Sequence, residues 1–467
     1  MTPVRVAIVG GGISGLAAAH RLRDLLGPDA VITVVEQTDR LGGKLRTVDL
    51  AGIRYDVGAE AYLVRRPEAA ALVAELGIEI THPTAARSTV RAGGVTRPIP
   101  GGTMLGIPAS AGAVSDVLSE EGLRRVEAEP ALPPLRLEGA DLGLGALIRS
   151  RFGDELPDRL IDPLLGGVYA GGVDSLGLRA TLPQLAAAID GGATSLTAAA
   201  ATVIGNPTGG PVFGTVPSGL STLVDRLARD VDVRLGVPVR LLERTESGWR
   251  LTLGAAASGH EPADPVLDVD AVVLAVPPAA ARRLLDGVVA VAAMAYSRIE
   301  TASVGVVALA LPPGTPLPDT SGVLVGAAER RGDGKPFAVK AFTYSATKWA
   351  HLDAVVVRGS VGRFGDPGAL LADDDELVRL VRDDLAELAG VTAAPIDTLV
   401  TRWGGGLPQY GVGHVELARR IEEAVAAEPG LAVAGAALHG VGVPACIGTG
   451  EAAARRVAAH LHTLVAK

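Results

Sequence analysis

Apolar residues come in short unbroken runs near both ends of the chain and in alternating runs through its middle. Arg5–Val9, Val31–Val35, Asp270–Val276 and Leu431–Gly435 are almost wholly β-branched or small apolar residues, which predicts strands buried on both faces of a parallel sheet. Ser14–Leu26 predicts a helix between the first two. Leu50–Leu76 predicts a turn and then a helix over "RPEAAALVAELG", capped by Gly77. Ala113–Ala128, Arg149–Leu165 and Leu182–Ile189 have helical spacing, the last two joined by "GGVYAGG", so this part reads as an all-helical insertion. After a helix over Leu220–Arg229, "VDVRLGVPVRLLERTESGWRLTL" alternates as paired strands turning at Ser247-Gly248. Val304–Leu311 and Ala338–Tyr344 predict strands of a second sheet, and the tail a helix from about Gly448 to Leu464. The strands of the first sheet thus come from three separated stretches of chain.

Composition narrows the function classes. A chain of 467 residues calls for two or three domains. A net charge of −9 argues against nucleic acid as a partner, which would need a basic surface. The single cysteine, Cys446, rules out an internal disulfide and a cysteine-held iron–sulfur cluster, and suits a reducing compartment. Residues 1–5 run straight into a strand rather than into a basic and then an apolar region, so a cytoplasmic location without a secretory leader is expected. No stretch reaches the ~18 unbroken apolar residues of a membrane span. Gly191–Val224 carries no charge but is broken by Gly, Pro, Ser and Thr. It is open to three readings: buried structure, a cavity wall or a peripheral membrane face.

The strongest local signal is "VAIVGGGISGLAAAHRL". Gly10, Gly12 and Gly15 form G-x-G-x-x-G directly after a strand and at the opening of a helix. The first glycine permits the tight turn, the second lets backbone N–H groups reach a pyrophosphate, and the third lets helix and strand approach. Gly11, Ile13 and Ser14 complete the turn at the positive end of the helix dipole. Glu36 follows at the end of the second strand, where an acid accepts ribose hydroxyls, with Gln37 beside it. Either NAD or FAD suits these residues.

Further motifs carry a resemblance. Gly42-Gly43-Lys44 and Arg46 resemble the R-x-G-G-[RK] stretch of flavin amine oxidases, Asp56–Ala59 their following turn, and "AVAGAALHGVGVPACIGTGEAAARRVA" their closing motif. "RFGDELPDRLIDPLLGGVYAGGVDSLGLRATLPQL", "FGTVPSGLSTLVDRLA", "VVLAVPPAAARRLL" and "LPQYGVGHVELARRIEEA" resemble the protoporphyrinogen/coproporphyrinogen oxidases, over nearly the whole chain. The resemblance implies an α/β fold of the para-hydroxybenzoate-hydroxylase kind. A Rossmann-like FAD-binding domain would come from residues 1–85, 213–290 and 401–467, a helical, membrane-associating insertion from 86–212, and a mixed-sheet substrate domain from 291–400. It implies non-covalent FAD, a porphyrinogen substrate oxidised by six electrons with O2 yielding H2O2, and hand-over of the product to a ferrochelatase. Coproporphyrinogen is the expected substrate, protoporphyrinogen the alternative.

The same resemblance implies cofactor contacts at Gly43, Lys44, Gly58, Ala59, Glu60, Ala61, Val239, Trp403, Ala436, Val441, Gly442 and Val443. Glu60 stands where relatives carry a small or amide residue, which leaves its role open. Arg97, in "VTRPIP", matches an arginine that meets a substrate carboxylate in some relatives; a solvated surface arginine is the bland reading. Tyr169 reads equally as pocket lining or core, and Trp403 and Tyr410 as flavin-side or packing residues. Cys446 is expected to be a buried small hydrophobe, and His414 and His439 lack metal-ligand spacing. Rival readings are an amine oxidase, whose flavin-side lysine is missing from "TASVGVVALAL", a phytoene-desaturase-like enzyme, and a binder that keeps FAD as structure.

Overall fold

The computed structural model describes residues 3–205, 210–255 and 264–465; residues 206–209 of the uncharged run lie outside these. Strand Arg5–Val9 is the middle of a five-stranded parallel sheet, flanked by Val31–Val35 and Ala271–Leu274, then by Asp232–Arg234 and Leu431–Val433 at the edges. Val6, Ala7 and Ile8 are fully enclosed, as the unbroken apolar run requires. Helices Ile13–Leu26 and Val443–Val465 cover one face, through Ala18, Ala19 and Leu22 on the first and Ala453, Ala454, Val457 and Leu461 on the second. They meet so closely that a Cβ on Gly450 would lie 2.2 Å from the Ser14 carbonyl oxygen, so only glycine fits there. The other face carries a small antiparallel sheet and the helices Pro278–Leu285, Ala290–Tyr296 and His414–Ala426.

A seven-stranded sheet stands beside it, in the order Asp397–Pro408, Thr301–Ala310, Val356–Val361, Val339–Tyr344, Gly322–Val325, Ser88–Ala92 and Val95–Pro98. Helix Asp374–Ala389 packs Leu377, Val381 and Leu385 on one face, against Val339, Phe342 and Val361. On the opposite face, the hairpin Thr47–Leu50/Ile53–Asp56 covers one end through Leu50, Tyr55 and Val57. Helix Asp162–Tyr169 approaches the other end, a Cβ on Gly167 reaching 3.6 Å from Leu324. Between these ends Ala341, Thr343, Arg358 and Ser360 stay partly exposed.

Several sequence expectations are corrected. Residues 88–98 are not helical: Ser88–Ala92 and Val95–Pro98 form a hairpin turning on Gly93 and Gly94, both at positive φ, and join the large sheet through a parallel pairing with Gly322–Val325. A boundary at 400 would cut the strand Asp397–Pro408, and Ala290–Tyr296 packs with the nucleotide-side helices rather than with the second sheet. Asp232–Arg234 joins the five-stranded sheet instead of pairing with Val239–Arg244. Arg149–Leu165 is no single helix, because Gly153 ends Leu144–Phe152 at φ 73° and a π turn over Pro157–Ile161 restarts the chain. Ala113–Ala128 is likewise divided, the Ser119 hydroxyl accepting from the Gly122 N–H to cap Glu120–Ala128. The turn over Leu50–Leu76 contains the strand Ile53–Asp56, and the last helix begins at Val443, not Gly448.

Candidate functional site

The three glycines of the first turn divide the work among themselves. A Cβ on Gly10 would stand 2.3 Å from the Ala275 carbonyl oxygen, and one on Gly15 2.0 Å from that of Gly10. Both are demanded by backbone contact. A Cβ on Gly12 would meet no protein atom within 4 Å. Gly12 therefore borders open space at the start of helix Ile13–Leu26, whose first turn has neither an acidic residue nor a side-chain cap. Its free N–H groups and dipole favour an anion there.

Glu36 is tied into this turn: Oε2 accepts from the Gly11 N–H at 2.8 Å, and Oε1 from the Thr38 N–H at 2.9 Å and its hydroxyl at 2.8 Å. The Val237 N–H donates to the Glu36 carbonyl at 2.9 Å, which starts the chain toward Val239 beside the acid; Gln37 is exposed next to it. The second glycine pair packs directly on the first. The Gly42 N–H donates to the Gly11 carbonyl at 2.8 Å, and a Cβ on Gly43 would lie 3.3 Å from the Gly12 Cα.

Lys44 and the turn at Gly58 interlock through the backbone, the Ala59 N–H donating to the Lys44 carbonyl at 3.0 Å. Trp403 Nε1 donates to the Val57 carbonyl at 3.2 Å. The Lys44 side chain passes Gly406; it keeps solvent access yet is surrounded by protein on most sides, and this desolvation holds its ammonium below the usual lysine range. Arg358 donates to the Gly58 carbonyl at 2.6 Å and to that of Asp56 at 3.1 Å.

Glu60, whose role was open, pairs with Lys348 and lies 3.9 Å from Arg358. Burial opposes its ionisation, but the two cations outweigh it and hold the carboxyl below the usual range. Glu60 therefore clamps the turn to the large sheet, with Ala61 following half-buried.

The closing turn returns to the same place. Tyr410 Oη donates to the Ala436 carbonyl at 2.6 Å and accepts from the Gly440 N–H at 2.7 Å. Ala436, Val443 and Cys446 pack with Ile13 and Leu45, while Gly442 is exposed. Cys446 is buried beside Ser14, and burial pushes its thiol up. Val441 packs against the helical layer that holds Tyr169 and Tyr410, whose rings are 5.8 Å apart. Tyr169 is buried, with burial raising its phenol. Arg97 is not brought to this cluster. It sits on the far edge strand of the large sheet, six strands from that of Trp403, and its side chain forms no hydrogen bond or ion pair among the described residues.

The open space at Gly12, the glycine pair facing it and the free helix terminus fit a dinucleotide pyrophosphate. A model of the flavin-containing amine oxidoreductases matches residues 13–458. Relatives named coproporphyrinogen III oxidase align along the chain: those of Mycobacterium bovis at 43% identity over 100% of both chains, and of Bacillus subtilis at 31% over 96% of both. The chain belongs to the coproporphyrinogen/protoporphyrinogen oxidase group of the flavin amine oxidoreductases. A crystal structure from Exiguobacterium sp. 255-15, assigned as a protoporphyrinogen oxidase, superposes with a TM-score of 0.84 at 30% identity, covering 98% of this chain and 99% of that one. Cyclohexylamine oxidase from Brevibacterium oxydans shares the fold, with a TM-score of 0.70 at 17% identity over 98% and 100% of the two chains.

As a member of this group the protein is a flavin oxidoreductase. Among the described residues no helix is long and apolar enough to cross a membrane. Arg358, Lys348 and Lys340 were missed by the sequence reading. For Lys340 and Arg358 the available signal was a cation inside "AVKAFTY" and "VVVRGSVG", runs otherwise patterned for burial; Lys348, in "SATKW", carried no such signal.

Proposed function

We propose that this enzyme oxidises coproporphyrinogen III to coproporphyrin III, with non-covalent FAD as cofactor and O2 as terminal acceptor. Six hydrogens leave the macrocycle in three two-electron steps, and three O2 leave as three H2O2. A bound FAD supplies the two-electron acceptor that O2 regenerates.

The pyrophosphate would lie on Gly10–Gly15 and Gly43, with Lys44 adding charge. Glu36 and Gln37 would take the adenosine ribose and Val239 the adenine side. Gly58–Ala61, Trp403, Ala436 and Val441–Val443 would surround the ribityl chain and ring. Cys446 supports a non-covalent flavin, because a thiol raised by burial is a poor nucleophile. The observation that carries the substrate reading is the partly open, basic sheet face beside the Gly58 turn, roofed by the helical layer holding Tyr169 and bordered at its edge strand by Arg97. An apolar macrocycle with carboxylate arms suits that combination, and positioning rather than a strong base is what its oxidation needs.

The test supplies purified protein with coproporphyrinogen III, protoporphyrinogen IX and simple amines in air, following porphyrin fluorescence and peroxide. Coproporphyrin formed with three peroxides each, faster than protoporphyrin and without amine turnover, is the expected result. Amine turnover without porphyrin overturns the reading.

A further inference from the structure

One buried cation on the large sheet takes no part in the contacts described so far. Lys340 is 5% exposed and sits at a break in register: Val339 pairs with Val361, but Ala341, not Lys340, pairs with Ser360. Two residues on one strand thus oppose one on the next, a bulge of the kind that re-aims side chains beside functional sites. Val339 and Phe342 pack against helix Asp374–Ala389, whereas the Lys340 ammonium feels both Arg358 and Arg363.

These three cations are unequally committed. Arg358 holds the Gly58 turn, and Arg363 donates one Nη to the Val325 carbonyl at 2.7 Å and shares the field of Asp162 from the facing helix. The Lys340 side chain makes no hydrogen bond or ion pair among the described residues, yet its nitrogen is not one of the fully enclosed unpaired polar atoms. Burial first, then the two guanidiniums, push its ammonium down to about 7. A buried cation without a partner is unfavourable until an anion arrives.

The facing helix comes up to the pair without a side chain. A Cβ on Gly166 of the facing helix would lie 3.6 Å from Arg363 Nη1, so the helix turns its smallest residues to this place. Arg97 shares the sheet face: Arg97, Val90, Leu324 and Ala341 are successive cross-strand partners. At ~4.8 Å per strand, Arg97 and the Lys340 strand are on the order of 14 Å apart, the scale of a substituted tetrapyrrole.

We propose that Lys340, with Arg363 beside it, is an anion subsite for one carboxylate of the substrate, separate from Arg97 on the same sheet face. This rests on the porphyrinogen reading above. The test titrates flavin-loaded protein with coproporphyrin III and with its tetramethyl ester, in wild type, Lys340→Met and Lys340→Arg, with flavin content and melting temperature as folding controls. Lys340→Met is expected to weaken the acid about ten-fold and leave the ester unchanged, and Lys340→Arg to restore most of the loss. Unchanged binding of the acid overturns the subsite, as does equal weakening of acid and ester. Should Lys340→Met lose its flavin, Lys340→Gln carries the same comparison. Wild-type protein that binds neither porphyrin overturns the functional reading as well, whereas failure of the variants alone leaves that reading standing.

Discussion

The imidazole of His414 lies flat on the ring of Tyr410, centroids 3.8 Å apart and planes 16° from parallel. His414 Nε2 donates to the Leu438 carbonyl at 3.1 Å, and burial lowers its pKa to about 4. The neutral ring thus braces the tyrosine that holds the closing turn. Because the folded value lies below the unfolded ~6.5, the unfolded chain binds more protons between the two. Stability is full above pH ~6.5 and falls as the pH drops toward 4, by about 3 kcal/mol at most from this group. Urea unfolding against pH should show that slope, reduced in His414→Gln, with flavin fluorescence released in the same window. An unaltered slope in the variant removes His414 from the account.

Gly12 and Gly15 should separate cofactor binding from folding. Gly12→Ala puts a methyl where no protein atom stands, so the apoprotein melt should stay put while FAD affinity falls ten-fold or more. Gly15→Ala drives a methyl into the Gly10 carbonyl 2.0 Å away and should destabilise the fold itself. Calorimetry of apoprotein beside FAD titration distinguishes them; a normal FAD affinity in Gly12→Ala would move the pyrophosphate elsewhere.

Glu36→Arg removes the acceptor of the Gly11 N–H and, in the proposed cofactor site, that of the ribose. Loss of a charged hydrogen bond costs roughly 1.5–3 kcal/mol, so FAD affinity should fall by at least about an order of magnitude in a spectrophotometric titration. Equal affinity would show that the acid does not touch the nucleotide.

Glu60→Gln leaves Lys348 without its buried partner and should lower stability by about 2–4 kcal/mol. Adding Lys348→Met should recover part of the loss, since the orphaned charge goes too. A double variant no better than the single would place the cost in the turn backbone instead.

Arg97→Ala should raise KM for coproporphyrinogen several-fold to about thirty-fold, corresponding to ~1–2 kcal/mol for a partly exposed charged pair, with less effect on an esterified substrate. Because Arg97 and Lys340 sit on strands three positions apart and share no partner, their losses should add. Acid and ester slowed alike would make Arg97 structural.

What could be read in advance was what is local. The Gly10–Gly15 turn, Glu36 and the buried strands around them lie within a few dozen residues and carry their meaning in spacing. Glu60 did not, because its partners Lys348 and Arg358 come from strands and turns almost three hundred residues on. The hairpin Ser88–Pro98 was hidden for another reason. It is short, half-polar and exposed along Val95–Pro98, so only its pairing with Gly322–Val325 makes it sheet. Lys340 stood out only as a lysine in a run patterned for burial; the face it takes depends on a one-residue slip in register that no alternation pattern records.

The contact of Gly450 with Ser14 joins residues translated more than four hundred positions apart. While a ribosome is still making the middle of this chain, the Gly10–Gly15 turn has already emerged but lacks the helix Val443–Val465 and the Ala436–Val443 turn. On the proposed cofactor site, capture is therefore expected to be a late event, completed only after the last helix clears the exit tunnel. Until residues 271–274 emerge, strand Arg5–Val9 has only Val31–Val35 beside it, and until the last helix arrives part of one face of the sheet stays uncovered, an unfinished sheet that a chaperone has reason to shield. Cells short of riboflavin should accordingly accumulate this protein as aggregate or degradation product rather than as a soluble apoenzyme.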